Sequence, residues 1–452
     1  MLWTAHSVLA NNQYDAYRNW KCDDRSQSVR AAHETGTASP RLHHVCDLLR
    51  VSVRPKPSLN YSSLHNGGSV FDEFAVRLNP AYFRDSVHGL SRIDDVDVEV
   101  QLHVGADTFP YRSRLSFDFR SHYYDLAKRR SDGDETSGLT PPIRLPLTGE
   151  LFRTISERIE TSLYVELRWH DQVLYRQTFG VWIAPIDQWT LDDRQLGWLP
   201  SFVQPRDPVV AELTGKAAAF LQCLRDHPDC GFDGYQSYDP NGPRAQRWCG
   251  VDHQVQAIWW AMRSGTPLRY INPPPSYAEF TQRLRTPGTT LRGGFGTCVD
   301  LAIALVSCLE WVEIHPVLFL LHGHVFAGYW KDLTAHRQFR DVLTEDVPDA
   351  DTENEIVDRE RQQRWVSDAS SYREIRGFVD RGELVPLETV DLTRGKGFQA
   401  AIADGRDYFE KPRNRSFRAM VDLVTARTQN GVTPLPLVVH DTSHPNPLRS
   451  DR

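Results

Sequence analysis

The sequence predicts an α+β fold, in which an antiparallel β-sandwich precedes a core of helices and buried strands. Three patterns support this prediction. Short stretches of alternating apolar and polar residues occur between about residue 96 and residue 183, which is typical of half-buried antiparallel strands. Helical patterns begin near residue 199. An apolar helix then follows Cys298, and short apolar strands follow that helix, an order that fits segregated helices and sheet.

The chain has 452 residues, enough for two or three domains with cores of their own. Residues 1–66 are polar and interrupted, so we expect a flexible or poorly packed N-terminal extension. Residues 67–195 form the predicted β-sandwich domain, residues 196–440 the predicted catalytic domain and residues 441–452 a polar tail. Residues 333–374 are rich in Asp, Glu and Arg and are expected to form a charged insert, either a solvated helix or a mobile loop.

Four strands are predicted in the β-sandwich domain. Apolar and polar residues alternate from Val96 to Val104 and from Leu163 to Trp169, the pattern of a strand buried on one face. Two further strands are predicted over residues 112–119 and 173–183, with a polar loop over residues 128–138. Such a domain is either a passive support or a platform that recognises a substrate or partner, and we favour the platform.

Helices are predicted on both sides of the Cys298 segment. Asp207 and Pro208 are typical of an N-cap and a first helical residue, so a helix is predicted over residues 209–224. Asp252 is predicted to cap the next helix. Its apolar stripe consists of Val255, Ile258, Trp259 and Met262. Two amphipathic helices are predicted near the end of the chain, over residues 398–409 and 417–427.

The segment Gly-Gly-Phe-Gly-Thr-Cys-Val-Asp, from Gly293 to Asp300, precedes a helix that is apolar on almost all sides and therefore buried. Cys298 lies in the first turn of that helix. The free amide groups there favour a thiolate over a thiol and can bind an oxyanion. Thr297 is a supporting residue beside them. Gln282 is either a further oxyanion donor, through its side-chain amide, or an ordinary loop residue.

A histidine and a carboxylate are predicted to lie together on the sheet after this helix. Residues 316–321 form a buried strand, and a second strand begins at His324, directly after the supporting residue Gly323. Residues 384–389 are predicted to form a third strand. If this strand lies antiparallel beside the second, its end meets the beginning of the second, which places Glu388 beside His324. Asp391, two residues later, is the alternative carboxylate.

Each of these residues also has an interpretation without chemistry. Cys298 is then a small buried hydrophobic residue, as we expect for Cys308 in the same helix. A zinc site is a further alternative, because His322 and His324 are two residues apart. A second group could in principle bind zinc but has the wrong spacing for a common zinc knuckle. It consists of Cys223, His227, Cys230 and Cys249. We therefore expect neither a metal nor another cofactor.

Three segments together resemble a known family. They are Gly-Thr-Cys-Val-Asp-Leu-Ala from Gly296, Gly-His-Val-Phe-Ala-Gly-Tyr-Trp from Gly323 and Val-Pro-Leu-Glu-Thr from Val385. These segments are similar to the core of bacterial transglutaminase-like cysteine-peptidase domains, which share a papain-like fold. The similarity extends from about Leu90 to the C-terminal region. It implies a transglutaminase-like catalytic core behind the β-sandwich.

The resemblance also implies roles for three residues. Cys298 corresponds to the nucleophile, His324 to the base and Glu388 to the acidic residue that orients the histidine, although such domains more often have aspartate there. Related domains are often fused to, or encoded near, helicase and nuclease modules. A protein from such a neighbouring system is therefore an expected partner, besides a protein or peptide substrate, and a role in bacterial defence is implied.

Composition limits the class of function. The 52 basic and 59 acidic residues give a net charge of −7, which argues against broad nucleic-acid binding. Seven cysteines without regular spacing favour a reducing compartment, so a cytoplasmic location is expected. No apolar stretch reaches the ~20 residues that span a bilayer, so no membrane association is expected.

The sequence therefore predicts a thiol hydrolase, foremost a cytoplasmic cysteine protease that acts on a protein substrate through Cys298, His324 and Glu388. The same three residues could catalyse transamidation or deamidation, if an amine replaces water or a glutamine side chain is the target. A protein of another class also fits the sequence, namely a non-catalytic scaffold that uses the β-sandwich to bind a partner.

Overall fold

The computed structural model describes most of the chain between residues 49 and 436 as a mixed α/β structure with several sheets. The described residues are 49–78, 92–118, 123–125, 143, 145–170, 172–191, 193–226, 228–236, 244–265, 267–345, 365–410 and 416–436. The polar loop predicted over residues 128–138 and the predicted tail lie outside them. No helix in these ranges combines the length and the apolar character that crossing a membrane requires.

The strands are short to medium in length. Their bounds are β1 (Leu49–Pro55), β2 (Ser58–Leu59), β3 (Phe71–Leu78), β4 (Arg92–Val104), β5 (Asp107–Asp118), β6 (Tyr123–Asp125), β7 (Ile159–Trp169), β8 (Gln172–Ile183), β9 (Gln188–Thr190), β10 (Arg269–Tyr270), β11 (Thr281–Arg283), β12 (Phe295–Gly296), β13 (Pro316–Leu321), β14 (His324–Trp330), β15 (Val366–Asp368), β16 (Leu384–Leu387) and β17 (Phe417–Asp422).

The helices lie mainly in the second half of the chain. Their bounds are α1 (Tyr61–His65), α2 (Gly149–Thr154), α3 (Pro208–Arg225), α4 (Arg244–Ser264), α5 (Pro287–Gly293), α6 (Cys298–Trp311), α7 (Leu333–Glu345), α8 (Tyr372–Asp380), α9 (Phe398–Glu410) and α10 (Leu423–Thr428). Within the described residues, 3₁₀ helices span Asp193–Phe202, Ala369–Ser371 and Thr389–Leu392.

Two mainly antiparallel sheets occupy the N-terminal part. One has the strand order β2-β8-β7-β4-β5 and the other the order β1-β3-β6. The four strands predicted from alternating residues are confirmed as β4, β5, β7 and β8. The inward-facing valines of β4, from Val96 to Val104, are buried together with Phe74 and Val76 of β3. Both sheets therefore contribute to one hydrophobic core, which continues into the helices of the C-terminal part.

Residues 49–66 differ from the predicted N-terminal extension, because they form β1, β2 and α1. Strand β1 pairs with β3, and β2 pairs with β8 in parallel. Leu59 and Tyr61 are buried in the core, and Asn60 Nδ2 donates a hydrogen bond to Thr190 Oγ1 at 2.9 Å. The polar composition of this segment concealed its few apolar residues, which are enough to anchor it. Residues 1–48 lie outside the described part of the chain.

The second five-stranded sheet has the order β15-β17-β13-β14-β16, and all its neighbouring strands are antiparallel. Every residue of β13 and β14 is buried. One face of β14 packs with the apolar side chains of α6, and the other packs with residues of α7, α8 and α9. Burial on both faces explains why these strands have continuous apolar sequences rather than alternating ones.

Two helix predictions were wrong in position. Helix α4 begins at Arg244, so Asp252 lies inside it and does not cap it; the Asp252 carboxylate instead accepts a hydrogen bond from Tyr329 at 2.7 Å. The helix predicted over residues 417–427 is a strand, β17, followed by the short helix α10 with Asp422 as its N-cap. Strand β17 lies between β13 and β15, so long-range backbone pairing decides its structure.

The charged insert was predicted as a solvated helix or mobile loop, and its described parts are packed instead. Helix α7 buries Ala335, His336 and Phe339, and Trp365 is buried next to the sheet-edge strand β15. The acidic and basic residues of the insert concealed this apolar face. Residues 346–364 lie outside the described residues.

Candidate active site

Cys298 is the first residue of α6, and the structure fixes this helix start tightly. Thr297 is the N-cap, its hydroxyl accepts from the Asp300 N–H, and the Asp300 carboxylate accepts from the Thr297 N–H at 2.9 Å. This reciprocal capping box satisfies two backbone donors. A Cβ on Gly296 would lie only 3.0 Å from Asp300 Cβ, so a larger residue at this position would crowd the start of the helix.

Asp300 also ties the helix start to the loop that precedes it. Its carboxylate accepts from the backbone N–H of Arg285 and from the Arg285 guanidinium, each at 2.8 Å, and it is fully buried. A buried carboxylate that accepts three hydrogen bonds, one of them from a guanidinium, is held in one orientation. The backbone around Cys298 is therefore preorganised.

His324 lies at the beginning of β14, after a tight turn. Gly323 in that turn has φ of +72°, a conformation that favours glycine, and the register pairs Leu321 with His324. The His324 side chain is buried, and its Nε2–H donates to Glu388 Oε2 at 2.7 Å. With Nε2 engaged in this way, Nδ1 is the ring nitrogen that remains for a second partner.

Glu388 reaches His324 because β16 lies antiparallel beside β14, with Leu387 opposite Ala327. The strand pairing that predicted this contact is confirmed, although β16 ends at Leu387 and Glu388 is the N-cap of the following 3₁₀ helix. The carboxylate is only 2% exposed. Its Oε1 accepts from the Val390 N–H at 2.9 Å, and its Oε2 also accepts from the Tyr408 hydroxyl at 2.7 Å.

Asp391, the alternative carboxylate, does not contact His324. It is fully buried in the turn after Glu388 and pairs with Arg394 and Lys396 at 3.2 and 3.3 Å. Burial, together with the neighbouring Asp404, raises the pKa of Asp391 to about 6. Of the two carboxylates, the structure therefore brings only Glu388 to the histidine.

The electrostatics of this group favour a protonated histidine. Burial by itself disfavours the imidazolium of His324, but hydrogen bonds to Cys298 and Glu388 outweigh that effect and raise the pKa of His324 to about 9. Burial opposes ionisation of Glu388 in the same way, and the hydrogen bond from His324 outweighs it, so the pKa of Glu388 lies below its ordinary value. His324 thus interacts with a thiol on one side and a carboxylate on the other.

The two cysteines of α6 have different environments. Cys298 is partly exposed and has a free thiol, whereas Cys308 is fully buried. Burial raises the pKa of Cys308 to about 12, which agrees with the prediction that Cys308 is a packing residue. Of these two cysteines, Cys298 is the one that combines solvent access with a neighbouring imidazole.

Gln282 lies next to the helix start, on the short strand β11. Its side-chain Nε2 donates to Thr297 Oγ1 at 3.3 Å, so its amide group contacts the residue that directly precedes Cys298. The structure therefore brings both predicted supporting residues, Gln282 and Thr297, to the nucleophile position. Gly323, the third, lies in the turn before His324.

The residues of the zinc alternatives do not converge. His322 is exposed in the turn, while His324 is buried and bonded to Glu388. Cys223 is exposed, and Cys230 Sγ accepts from Arg225 at 3.3 Å. His227 lies outside the described residues. Within the described part of the chain, no group of three or more metal-binding side chains occurs.

Two residues of this site had no signal in the sequence. Tyr408 donates to Glu388 from α9, and Arg285 holds Asp300 from the loop before α5. Neither residue was predicted to take part in the site. Only the packing of α9 on β16, where Gly405 lies against the backbone of Pro386, brings Tyr408 to the carboxylate.

No protein-family model matches the chain, and searches of curated proteins and of solved structures find no match either. The function of the chain is therefore inferred from the site itself.

Proposed function

We propose that the protein is a thiol hydrolase, a cysteine protease that acts on a protein substrate. Cys298 is the nucleophile, His324 the general base and Glu388 the residue that positions the imidazole. The observation that carries this proposal is the buried hydrogen bond of 2.7 Å between His324 and Glu388, together with the interaction of His324 with Cys298 at a helix N-terminus. Nucleophile, base and positioning carboxylate are the three parts that thiol catalysis requires.

We also propose that the C-terminal part has a transglutaminase-like, papain-like core. The support is the arrangement of its elements. A buried helix with cysteine at its N-terminus packs on an antiparallel sheet, in which β14 begins with His324 and the adjacent strand β16 ends directly before Glu388. The resemblance of the three sequence segments falls on these same elements.

The proposed reaction has two steps. The Cys298 thiol passes its proton to His324, and its sulfur attacks the carbonyl carbon of a peptide bond. The backbone N–H groups of Cys298 and Val299, which have no intrahelical carbonyl partner, bind the oxyanion with the Gln282 amide beside them. His324 gives its proton to the leaving amine, and the acyl group remains on sulfur. A water molecule then loses a proton to His324 and attacks the acyl carbon, which releases the acid and regenerates the thiol.

The same residues serve transamidation or deamidation, and no contact in the site favours either reaction over hydrolysis. A digest of an unstructured protein such as casein distinguishes them. We expect the wild-type protein to release new α-amino groups, and we expect Cys298→Ala and His324→Ala to release none. Ammonia release or amine incorporation without new α-amino groups would instead support transamidation or deamidation. Cleavage that persists in Cys298→Ala would contradict the proposed nucleophile.

A further inference from the structure

A second cluster of titratable side chains lies on the same sheet, away from Cys298. His315 Nδ1 is 2.8 Å from His336 Nδ1, and His336 Nε2 is 2.9 Å from Asp422 Oδ2. Asp422 and His336 are almost completely buried, and His315 is half-buried. The proposed protease reaction uses none of these residues.

When His336 is neutral, the hydrogen bonds determine which atoms of the Asp422, His336 and His315 side chains carry protons. The Asp422 carboxylate accepts from Trp330 Nε1–H at 3.0 Å and from the Thr425 N–H at 2.8 Å, so it is an acceptor, and His336 Nε2 must donate to it. Burial opposes ionisation of Asp422, but His336 outweighs it and the pKa of Asp422 lies far below its ordinary value. In a neutral His336, Nδ1 then accepts from His315 Nδ1–H. His315 Nε2 is left unprotonated, with a lone pair.

His315 remains neutral at physiological pH. Burial is the main cause of a lowered pKa, and the neighbouring His336, Arg340 and Arg337 act in the same direction. Together they outweigh the opposite effect of Asp422 and lower the pKa of His315 to about 4. None of the described residues bonds to His315 Nε2. His315 Nε2 is therefore free to accept a hydrogen bond from a bound molecule, because no described residue donates one to it.

This series of hydrogen-bonded side chains ends at His315, which lines a cavity of about 600 Å³ that we call the His315 cavity. This volume lies within the range of ~300–1,000 Å³ that is usual for small-molecule sites. One part of the lining is apolar, from Leu333, Leu423 and Val424, and Tyr235 adds a half-buried ring.

Arginines give the His315 cavity the character of an anion site. Arg337 and Arg340 are three residues apart on α7 and so lie on one face of the helix. Within the described residues neither guanidinium pairs with a carboxylate, and Arg340 Nε is buried without a hydrogen-bond partner. Of the other charged lining groups, Glu310 is already paired with Arg427 at 2.8 Å, and Glu313 is exposed. A buried N–H without an acceptor is rare, and an anion would satisfy it.

We propose that the His315 cavity binds a small organic phosphate that also carries hydroxyl or amino groups. The phosphate pairs with Arg337 and Arg340, a hydroxyl or amino hydrogen is donated to His315 Nε2, and the organic part lies against the apolar lining. Nucleoside monophosphates and sugar phosphates have this chemistry. The role of Asp422 and His336 is to hold His315 in the tautomer that accepts.

This binding is distinct from the proposed protease reaction. His324 is the first residue of β14, and Trp330 is the last. The Trp330 ring stacks on His336 at a ring-centroid distance of 4.9 Å. Six residue steps at ~3.3 Å place the two ends roughly 20 Å apart. Loss of one activity therefore need not remove the other.

Calorimetric titration of the full-length protein tests the proposal, with AMP, glucose 6-phosphate and inorganic phosphate as probes. We expect saturable binding of AMP or glucose 6-phosphate that is tighter than that of inorganic phosphate. Arg340→Gln should weaken the binding of the organic phosphate by about tenfold or more, and Arg337→Gln should do the same. Because the Arg337 side chain is exposed, its replacement should leave the fold intact. Arg373→Gln, an exposed arginine on α8, is the matched control and should leave affinity unchanged.

Three results would overturn the proposal. In the first, neither organic phosphate binds at millimolar concentration. In the second, the wild-type protein and both α7 variants bind the organic phosphates with equal affinity. In the third, inorganic phosphate binds as tightly as the organic phosphates. Labelling of Cys298 in the same samples keeps the two proposals separate, because the α7 variants should retain it.

Discussion

At the scale of single residues, Glu388 determines how the site works. Its carboxylate is almost completely buried and accepts three hydrogen bonds, from His324, Tyr408 and the Val390 N–H. These bonds replace the water that burial removes, so the carboxylate stays ionised and holds the imidazole in one orientation. A residue that positions the base in this way acts on catalysis through His324 and does not touch the substrate.

Tyr408→Phe tests that account. Loss of a hydrogen bond to a buried carboxylate should lower the free energy of unfolding by about 1.5–3 kcal/mol and slow the reaction of Cys298 with a thiol reagent several-fold. Urea denaturation and labelling rates measure the two effects. The control is Tyr372→Phe, which also removes a hydroxyl bonded to α9, at the Phe409 carbonyl, but has no contact with Glu388. Equal labelling rates in the two variants would refute the role of Tyr408.

The raised pKa of His324 predicts a pH dependence of stability. Its value of about 9 in the folded protein exceeds the ordinary value of 6.5, so this group stabilises the fold fully below pH 6.5. The contribution is lost as the pH rises toward 9. The difference in free energy of unfolding between wild type and His324→Gln should therefore shrink by up to about 3 kcal/mol over this range. His315 is present in both proteins, so its titration cancels. A difference that does not change with pH would contradict the prediction.

At the scale of elements, the start of α6 depends on Asp300. Asp300→Ala removes the capping box and leaves the guanidinium of Arg285, which is only 11% exposed, without its carboxylate. Breaking a buried ion pair from one side costs about 3–5 kcal/mol, and we expect that loss in urea denaturation. Glu212→Ala, which breaks the exposed pair with Lys216 on α3, should cost less than about 1 kcal/mol. Similar losses in both variants would show that Asp300 does not anchor the helix.

The elements around the site could largely be predicted from the sequence, because their signals are local. The apolar run after Cys298 predicted α6, and the apolar segments predicted β13, β14 and β16. Strand β17 could not be predicted in this way. The spacing of its apolar residues also fits a helix, and only pairing with β13 and β15 selects the strand. Tyr408 was missed for a related reason, since its contact with Glu388 depends on how α9 packs.

At the scale of the whole molecule, the N-terminal segment joins distant parts of the chain. Asn66, at the end of α1, donates through Nδ2 to the Ser62 carbonyl and to Ser201 Oγ, each at 2.8 Å, and its Oδ1 accepts from the Thr433 N–H at 2.7 Å. One side chain thus links residues more than 350 positions apart. Sequence composition assigned this segment to a poorly packed extension because such contacts leave no local pattern.

Asn66→Ala should therefore destabilise the whole fold by about 1–3 kcal/mol. Unfolding followed by tryptophan fluorescence and by far-UV circular dichroism should shift together, because the hydrophobic core is continuous between the N-terminal sheets and the helices. Asn430→Ala, which removes a local bond to the Thr425 carbonyl, is the control and should shift both curves less. Separate transitions for the two probes would show that the two parts unfold independently.

The most direct test of the proposed function is the reaction of the native protein with iodoacetamide between pH 5 and 9, with each cysteine followed by mass spectrometry. Cys298 should react rapidly well below pH ~8.5, the ordinary pKa of a free thiol. The rate should fall strongly in His324→Ala and moderately in Glu388→Gln. Exposed Cys223 should react as an ordinary thiol, and buried Cys308 should not react. If Cys298 reacts no faster than Cys223 at pH 6, and His324→Ala does not change its rate, the site contains no activated thiol and the proposed protease mechanism is wrong.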